Sequence, residues 1–570
     1  MRIEMKFILL AVMIAMFSLA CGGDDSDSND NLSDGDQDTV EDGDVSEDGD
    51  AEPFEPAVTT VSKTLVPEVE FLEFCKDSAD RRKLEYCKNP ATYEQDFDVY
   101  FKKGMGEWSV EDGEPLTLRE DLGVAKGEPG TRQAILSWAQ FTDVHITDEE
   151  SPSRTASFDS TSIPSALRPQ DMYTQRVFAD AIKTINRFIK TGTLDFTLVT
   201  GDATDTAQYN EMKALLDIMN GELIDPDSGA DDDPVAGENN DGQDPFQAEA
   251  LEMPFYLALG NHDELIMGNW KINEKAKAVG VGSLPGSGTR RGDDFLVTKE
   301  EVPADENRES LYHDEMIDLI MNTPGLPEGH GYTQNNIDEN NGYYAFDAPN
   351  GAPVRFIVLD TTFRPLGFEG SDTTYVSGVI DRVQFEHFLQ PELEDAFNDH
   401  KLVVLASHEQ SDHLQNDGFD DGRFISEEEF LETTLSYPNI VLHCVGHGHT
   451  HRVRIHTPED ADGDGGYFEI ETTSLIDFPQ QFRFFEMVDN GNGTLSINSA
   501  VVDHQGEEGG MSELSRKLTL IDSQTGWDEQ GMQGSPETRN IEMIVPIPEG
   551  WQGYVSDFEG RETIDAEVNW

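Results

Sequence analysis

Three histidines at alternating positions, in VGHGHTHR (residues 445–452), stand beside glycines just after the apolar run Ile440, Val441, Leu442. A packed core rarely asks for that pattern; imidazoles so placed are metal donors. Four other stretches also run an apolar segment into oxygen or nitrogen donors. AILSWAQFTDVHITD (134–148) delivers Asp143 and His145, and LDFTLVTGDATD (194–205) delivers Asp202 behind a glycine. MPFYLALGNHDE (253–264) delivers Asn261, His262 and Asp263, and KLVVLASHEQ (401–410) delivers His408. An Asp-x-His tripeptide or a lone histidine says little alone. The five together, in one domain, are what a two-metal hydrolase needs. Oxygen and imidazole donors suit Mn, Fe or Zn, and a shared carboxylate holds two ions about 3.5–4 Å apart.

Such donors must be held by rigid elements. In an extended backbone, residues two apart point the same way, so Asp143 and His145 can converge on one cation. The near-continuous apolar runs at 134, 194, 255, 354 and 401 predict buried central strands, with helices such as 172–189 outside them. Asp205 is read as the N-cap of the helix that begins near Gln208, in preference to a support for a ligand. His443, inside a strand, is read as a hydrogen-bonded core histidine, and Cys444 as a small buried hydrophobe.

The order Asp143-x-His145, Gly201-Asp202, Gly260-Asn261-His262-Asp263, His408, Gly446-His447-x-His449 resembles the calcineurin-like metallophosphoesterase superfamily. The likeness runs from about residue 134 to 500. It implies a four-layer α/β/β/α sandwich of two mixed sheets, with metals at loop ends along one edge. It also implies that Asp143, His145 and His449 bind one metal, that Asn261, His408 and His447 bind the other, and that Asp202 bridges them. His262 would stay off the metals and protonate the leaving group or stabilise phosphoryl oxygens, with Asp263 orienting it. The implied activity is hydrolysis of a phosphate monoester or diester by a hydroxide bridging two divalent transition-metal ions. The Gly-His-x-His pattern has a second register through His451, which is read as facing substrate or supporting a ligand. Asp205 stands where purple acid phosphatases place a tyrosine ligand, which argues against that branch. The segment YFEIETTSLIDFPQQFRFFEM (467–487) is similar to large exported bacterial relatives; its phenylalanines are read as core, with Gln480 and Gln481 able to line the site.

Bulk properties narrow the partners. The 114 acidic residues against 39 basic ones give a formal charge of −75, which disfavours nucleic acid. Arg2 and Lys6 precede an apolar run too short to span a bilayer, then Ser18-Leu19-Ala20-Cys21. This reads as a lipoprotein signal with Cys21 lipidated, anchoring an exported chain to a bacterial envelope membrane. Cys75 and Cys87 are expected to pair. The expected divisions are a signal peptide (1–21), an acidic disordered tether (22–56), an extension packing on the core (57–130), the phosphoesterase domain (131–505) and a C-terminal extension (506–570) of no assigned role. The Asp/Gly runs at 225–245 and 459–465 are read as solvated loops. The competing class is a non-catalytic, calcium-loaded surface lipoprotein with a relic metal site; retention of His262, which need not bind metal, argues against it.

Overall fold

The computed structural model describes residues 59–67, 101, 106–154, 156, 166–190, 194–229, 242–282, 289–291, 294–298, 302–363, 376–414, 422–458, 465–523 and 532–558. The expected signal segment, the acidic tether, the Cys75 and Cys87 pair, and the middles of both Asp/Gly runs lie outside the described residues.

Two mixed sheets face each other. The seven-stranded sheet runs Thr117–Arg119, Ile541–Pro546, Thr494–Asp503, Gln481–Asp489, Gln133–Phe141, Phe196–Thr200, Phe255–Ala258. Its last three strands are mutually parallel. The six-stranded sheet runs Tyr344–Asp347, Val354–Val358, Leu402–Ala406, Ile440–Val445, Tyr467–Glu471, Arg452–His456, with a parallel centre and antiparallel edges.

Strand periodicity explains the layering. In Val354–Val358, Phe356 and Val358 belong to the core between the sheets, whereas Ile357 joins a separate outer cluster with Phe385, Leu389, Leu393 and Phe430. The next strand repeats this, with Val404 inward and Val403 and Leu405 outward. The helical segment Arg382–Asn398 and the helix Glu427–Thr434 therefore cover one outer face. Between the sheets, the Trp138 ring stacks on Phe485 at 4.8 Å and meets Phe356 edge-on at 5.5 Å. On the far side, Phe141 faces Phe178 at 5.4 Å and Phe484 faces Phe188 at 4.4 Å. The helix Thr174–Ile189 buries Val177, Phe178, Ala181, Ile182, Ile185 and Phe188, one apolar stripe at helical spacing. The result is the four-layer α/β/β/α sandwich.

The segment without an assigned role is woven into this frame. Ile541–Pro546 pairs antiparallel with Thr494–Asp503 and parallel with Thr117–Arg119, and the helix Met511–Asp522 reaches the Thr174–Ile189 helix through the hydrogen bond from Ser512 Oγ to Asp180. No helix among the described residues is long and apolar enough to cross a membrane.

Candidate metal centre

The donors collect where the parallel strands end. Gln133–Phe141, Phe196–Thr200 and Phe255–Ala258 are neighbours pointing the same way, so Asp143, His145, Asp202 and Asn261 leave one edge of one sheet. Leu402–Ala406 and Ile440–Val445 do the same in the other sheet for His408, His447 and His449. The edges are tied together: the His408 ring Nδ1 donates to the Thr200 carbonyl (2.9 Å), and Gln140 Nε2 donates to the Val445 carbonyl (3.2 Å).

Backbone geometry aims the side chains. Asp143, His145, Asp202, His447 and His449 all adopt left-handed φ values, between 47° and 68°. This conformation is disfavoured for side chains with a Cβ and concentrates at functional sites. Close approach also requires glycine. A Cβ on Gly260 would strike Asp202, and one on Gly268, itself at φ 63°, would strike the His262 ring and the Asn261 amide. Gly268 carries no signature in the sequence.

Two groups of donors form. In the first, Asp143, His145 and His449 each offer a ligand atom within 4.8 Å of the others. His449 Nε2 is 3.1 Å from Asp143 Oδ1, and His145 Nε2 is 4.0 Å from the same oxygen. His145 Nε2 is buried without a hydrogen-bond partner among the described residues, and Asp143 Oδ1 is buried with the His449 ring beside it; a cation would answer both. In the second, Asp202, His408 and His447 are grouped by the same criterion. Asn261 Oδ1 lies 3.0 Å from His408 Nε2 and 3.1 Å from His447 Nδ1, while Asp202 Oδ2 lies 3.1 Å from His408 Nε2. Asp202 Oδ2 is also 3.6 Å from His145 Nε2, so this carboxylate sits between the groups. Carboxylate, amide and imidazole groups so gathered fit a bound cation, or protons on the rings in its absence.

The other ring nitrogens are held from behind. His145 Nδ1 faces Asp205 Oδ1 at 3.2 Å, His449 Nδ1 faces Asp477 Oδ2 at 2.7 Å, and His447 Nε2 faces Glu409 Oε2 at 3.2 Å. Carboxylates so placed fix tautomer and ring orientation. Asp477 is anchored in turn by Arg168, whose Nε donates to Oδ1 at 2.7 Å. Asp477 and Glu409 gave no sequence signal, because each meets its histidine only through the fold.

Charge follows from this packing. Burial opposes ionisation of Asp143, yet His449 and His408 hold its carboxyl down at about 2. Burial pulls His408 and His449 down, but Asp202 and Asp143 on one side, and Asp143 and Asp477 on the other, lift them to about 10. Burial keeps His145 below its ordinary value and takes His447 to about 4. Without another cation, protons on His408 and His449 supply the positive charge that the carboxylates demand.

Four expectations need correction. Asp205 is not the N-cap: the helix starts at Tyr209, and Gln208 with Glu211 closes the capping box, leaving Asp205 buried against His145. Asp263 does not orient His262. Its carboxylate accepts from the Thr204 amide and the Gly260 amide, each at 2.8 Å, and so fastens two loops together. The His262 ring is held instead by the Asp205 carbonyl, to which Nδ1 donates at 2.7 Å. Gln480 and Gln481 bond to Ser515 and to Asp503 and His451, within the scaffold. His451 itself is buried against Gln481 and Arg483, its Nδ1 2.8 Å from the guanidinium, and burial beside that cation holds it neutral. His447 and His449 are thus the pair that reaches the centre. His443 lies between Ser407 and Glu469 in the core, and Cys444 is buried and free.

Comparisons bear on the family. No curated protein matches the chain. Among solved structures, a dimetal phosphatase from Danio rerio aligns at 12% identity with a TM-score of 0.35, covering 65% of this chain and 100% of its own. GAP50, the anchor in the inner membrane complex of Plasmodium, aligns at 13% identity with a TM-score of 0.26, covering 66% and 86%. The family description that matches residues 137–452, more than half of the sequence, is calcineurin-like phosphoesterase. With that match spanning the strands that carry all five donor stretches, the chain belongs to the calcineurin-like phosphoesterase family and is a hydrolase acting on phosphoester bonds.

Proposed function

We propose that this protein hydrolyses a phosphate monoester or diester at a dinuclear centre of Mn, Fe or Zn ions. Asp143, His145 and His449 would hold one ion, Asn261, His408 and His447 the other, and Asp202 would contact both. The observation that carries this reading is the convergence of oxygen and imidazole donors in two adjoining groups, with Asp202 Oδ2 between them, 3.1 Å from His408 Nε2 and 3.6 Å from His145 Nε2. Two such ions neutralise phosphoryl oxygens and make water acidic enough to attack at neutral pH.

The protein's own groups supply the rest. His262 is part-exposed at the rim, with Nδ1–H given to the Asp205 carbonyl. Nε2 is therefore the atom that can deliver a proton to the departing alkoxide or touch a phosphoryl oxygen. Asp205 serves two rings, holding His145 through its carboxylate and His262 through its carbonyl. Burial of the donors excludes competing water. The surface charge does not forbid an anionic substrate, since distant carboxylates are screened within about 8–10 Å of salt solution.

Metal analysis of the purified protein, paired with aryl phosphate and bis-aryl phosphodiester assays, tests the reading. Two transition-metal ions per chain and turnover of at least one ester are expected. Asn261→Ala and His447→Ala should lose metal and rate together, whereas His262→Ala should keep metal and lose about 10²-fold or more in kcat. Full metal with no turnover of any ester would exclude catalysis.

We also read the N-terminus as a lipoprotein signal that places the enzyme on a cell-envelope membrane through Cys21. Acyl labelling that persists in Cys21→Ser would refute this.

A further inference from the structure

Exposure is unequal among the candidate donors. Asp143, His145, Asp202, Asn261, His408 and His449 are each at most 8% exposed. His447 is 27% exposed, and beside it stands an imidazole outside the donor set: the His413 ring, also 27% exposed, meets the His447 ring edge-on at 5.3 Å. His262, at 18%, stands instead against the His145 ring at 4.5 Å. A solvent-facing imidazole therefore borders each group of donors, His262 the first and His413 the second.

His413 is held where it is. It ends the short turn Ser411–His413, which follows the strand Leu402–Ala406 and His408. Gln410 Nε2 donates to the Gly446 carbonyl at 2.6 Å, and the Ser411 amide donates to Glu469 at 3.2 Å. The next residue, Leu414, is buried in the outer cluster with Phe385 and Phe430. Gly378, at φ 72°, lies so close that a Cβ there would stand 2.8 Å from the His413 carbonyl oxygen. The ring is fixed from behind as the donor rings are. Its Nδ1 faces Glu409 Oε2 at 3.2 Å, and the same oxygen faces His447 Nε2 at 3.2 Å. With Nδ1 given to a carboxylate, Nε2 is the nitrogen that can meet another molecule.

We propose that His413 is a substrate-binding residue of this centre, its Nε2 donating a hydrogen bond to a terminal phosphoryl oxygen on the His447 side, and that it makes phosphate monoesters the preferred substrate class. The assignment rests on the dinuclear reading above and narrows it. A monoester carries three terminal oxygens and a diester two, so one further donor at the mouth finds an oxygen that only the monoester has. A diester would put its second organic group there, leaving the imidazole desolvated with nothing to accept its hydrogen. His262 is tied to the other side by its bond to the Asp205 carbonyl and is left for the departing oxygen. Glu409 accepts Nδ1–H and supplies the counter-charge when the His413 ring is protonated.

Calorimetric binding of inorganic phosphate to the metal-loaded protein, with kinetics on an aryl phosphate and a bis-aryl phosphodiester, tests this in the wild type and in His413→Ala. The side chain is part-exposed, so its truncation opens no core cavity, and an unchanged metal content shows that the variant is folded. His413→Ala should keep two transition-metal ions and bind phosphate at least about tenfold more weakly. Its kcat/KM should fall at least about tenfold further on the monoester than on the diester, chiefly through KM, whereas His262→Ala should act on kcat. Unchanged phosphate affinity in His413→Ala would overturn the proposal. So would an equal loss on both esters, or loss of a metal ion, which would make His413 a ligand. Phosphate binding needs no turnover: a wild type that binds phosphate through His413 and hydrolyses no ester would sink the catalytic reading and uphold this contact.

Discussion

Left-handed backbone at five of the seven candidate donors is a cost of about 1–3 kcal/mol each, carried by the rest of the fold. The carboxylates behind the imidazoles help hold these residues in place. Asp477 is the clearest case, since it joins His449 to the buried Arg168. Asp477→Asn is expected to weaken metal affinity by about 10–100-fold, read by chelator competition. Unchanged affinity would mean that the His449 ring is oriented by packing alone. The loop glycine Gly268 acts by leaving room: the His262 ring and the Asn261 amide occupy the space that a Cβ would take.

Strand ends set the register of the donors, and their charge follows from what those ends bring together. In the metal-free protein, His408 and His449 are raised from 6.5 to about 10 by the facing carboxylates. Their protonated forms stabilise the metal-free fold fully below pH about 6.5, and that contribution is lost as pH rises through about 10. A metal ion must displace those protons. Metal affinity should therefore climb with pH between about 6.5 and 10, and binding heats measured in buffers of different ionisation enthalpy should show proton release. Affinity that is flat across this window would contradict the pairing of these histidines with Asp143 and Asp202. At this scale the sequence was legible where the signal is local. Apolar runs ending in donors marked the strands at 133–141, 196–200, 255–258, 402–406 and 440–445. The reading of Asp205 failed because an Asp near a helix start resembles a cap, while the true capping pair, Gln208 and Glu211, lies just beyond it.

The whole molecule depends on the two sheets keeping their spacing, since the donors come from both. Trp138 is fully buried at that interface, between Phe485 and Phe356. Trp138→Ala should cost about 3–5 kcal/mol, measured by chemical denaturation of the metal-loaded protein. A loss below about 1 kcal/mol would show that the sheets are held elsewhere. By itself the sequence supplied the kind and order of the candidate donors, because strand-terminal motifs are written in consecutive residues, and the sandwich that presents them was implied by the family resemblance those motifs carry. Only the tertiary structure decided that Asp205, Glu409 and Asp477 steady the imidazoles, that Asp263 binds loops together and leaves His262 alone, and that residues 541–546 complete a sheet begun at 117. Those contacts join residues dozens to hundreds of positions apart, and a pairing between distant side chains exists only once packing has brought their backbones together.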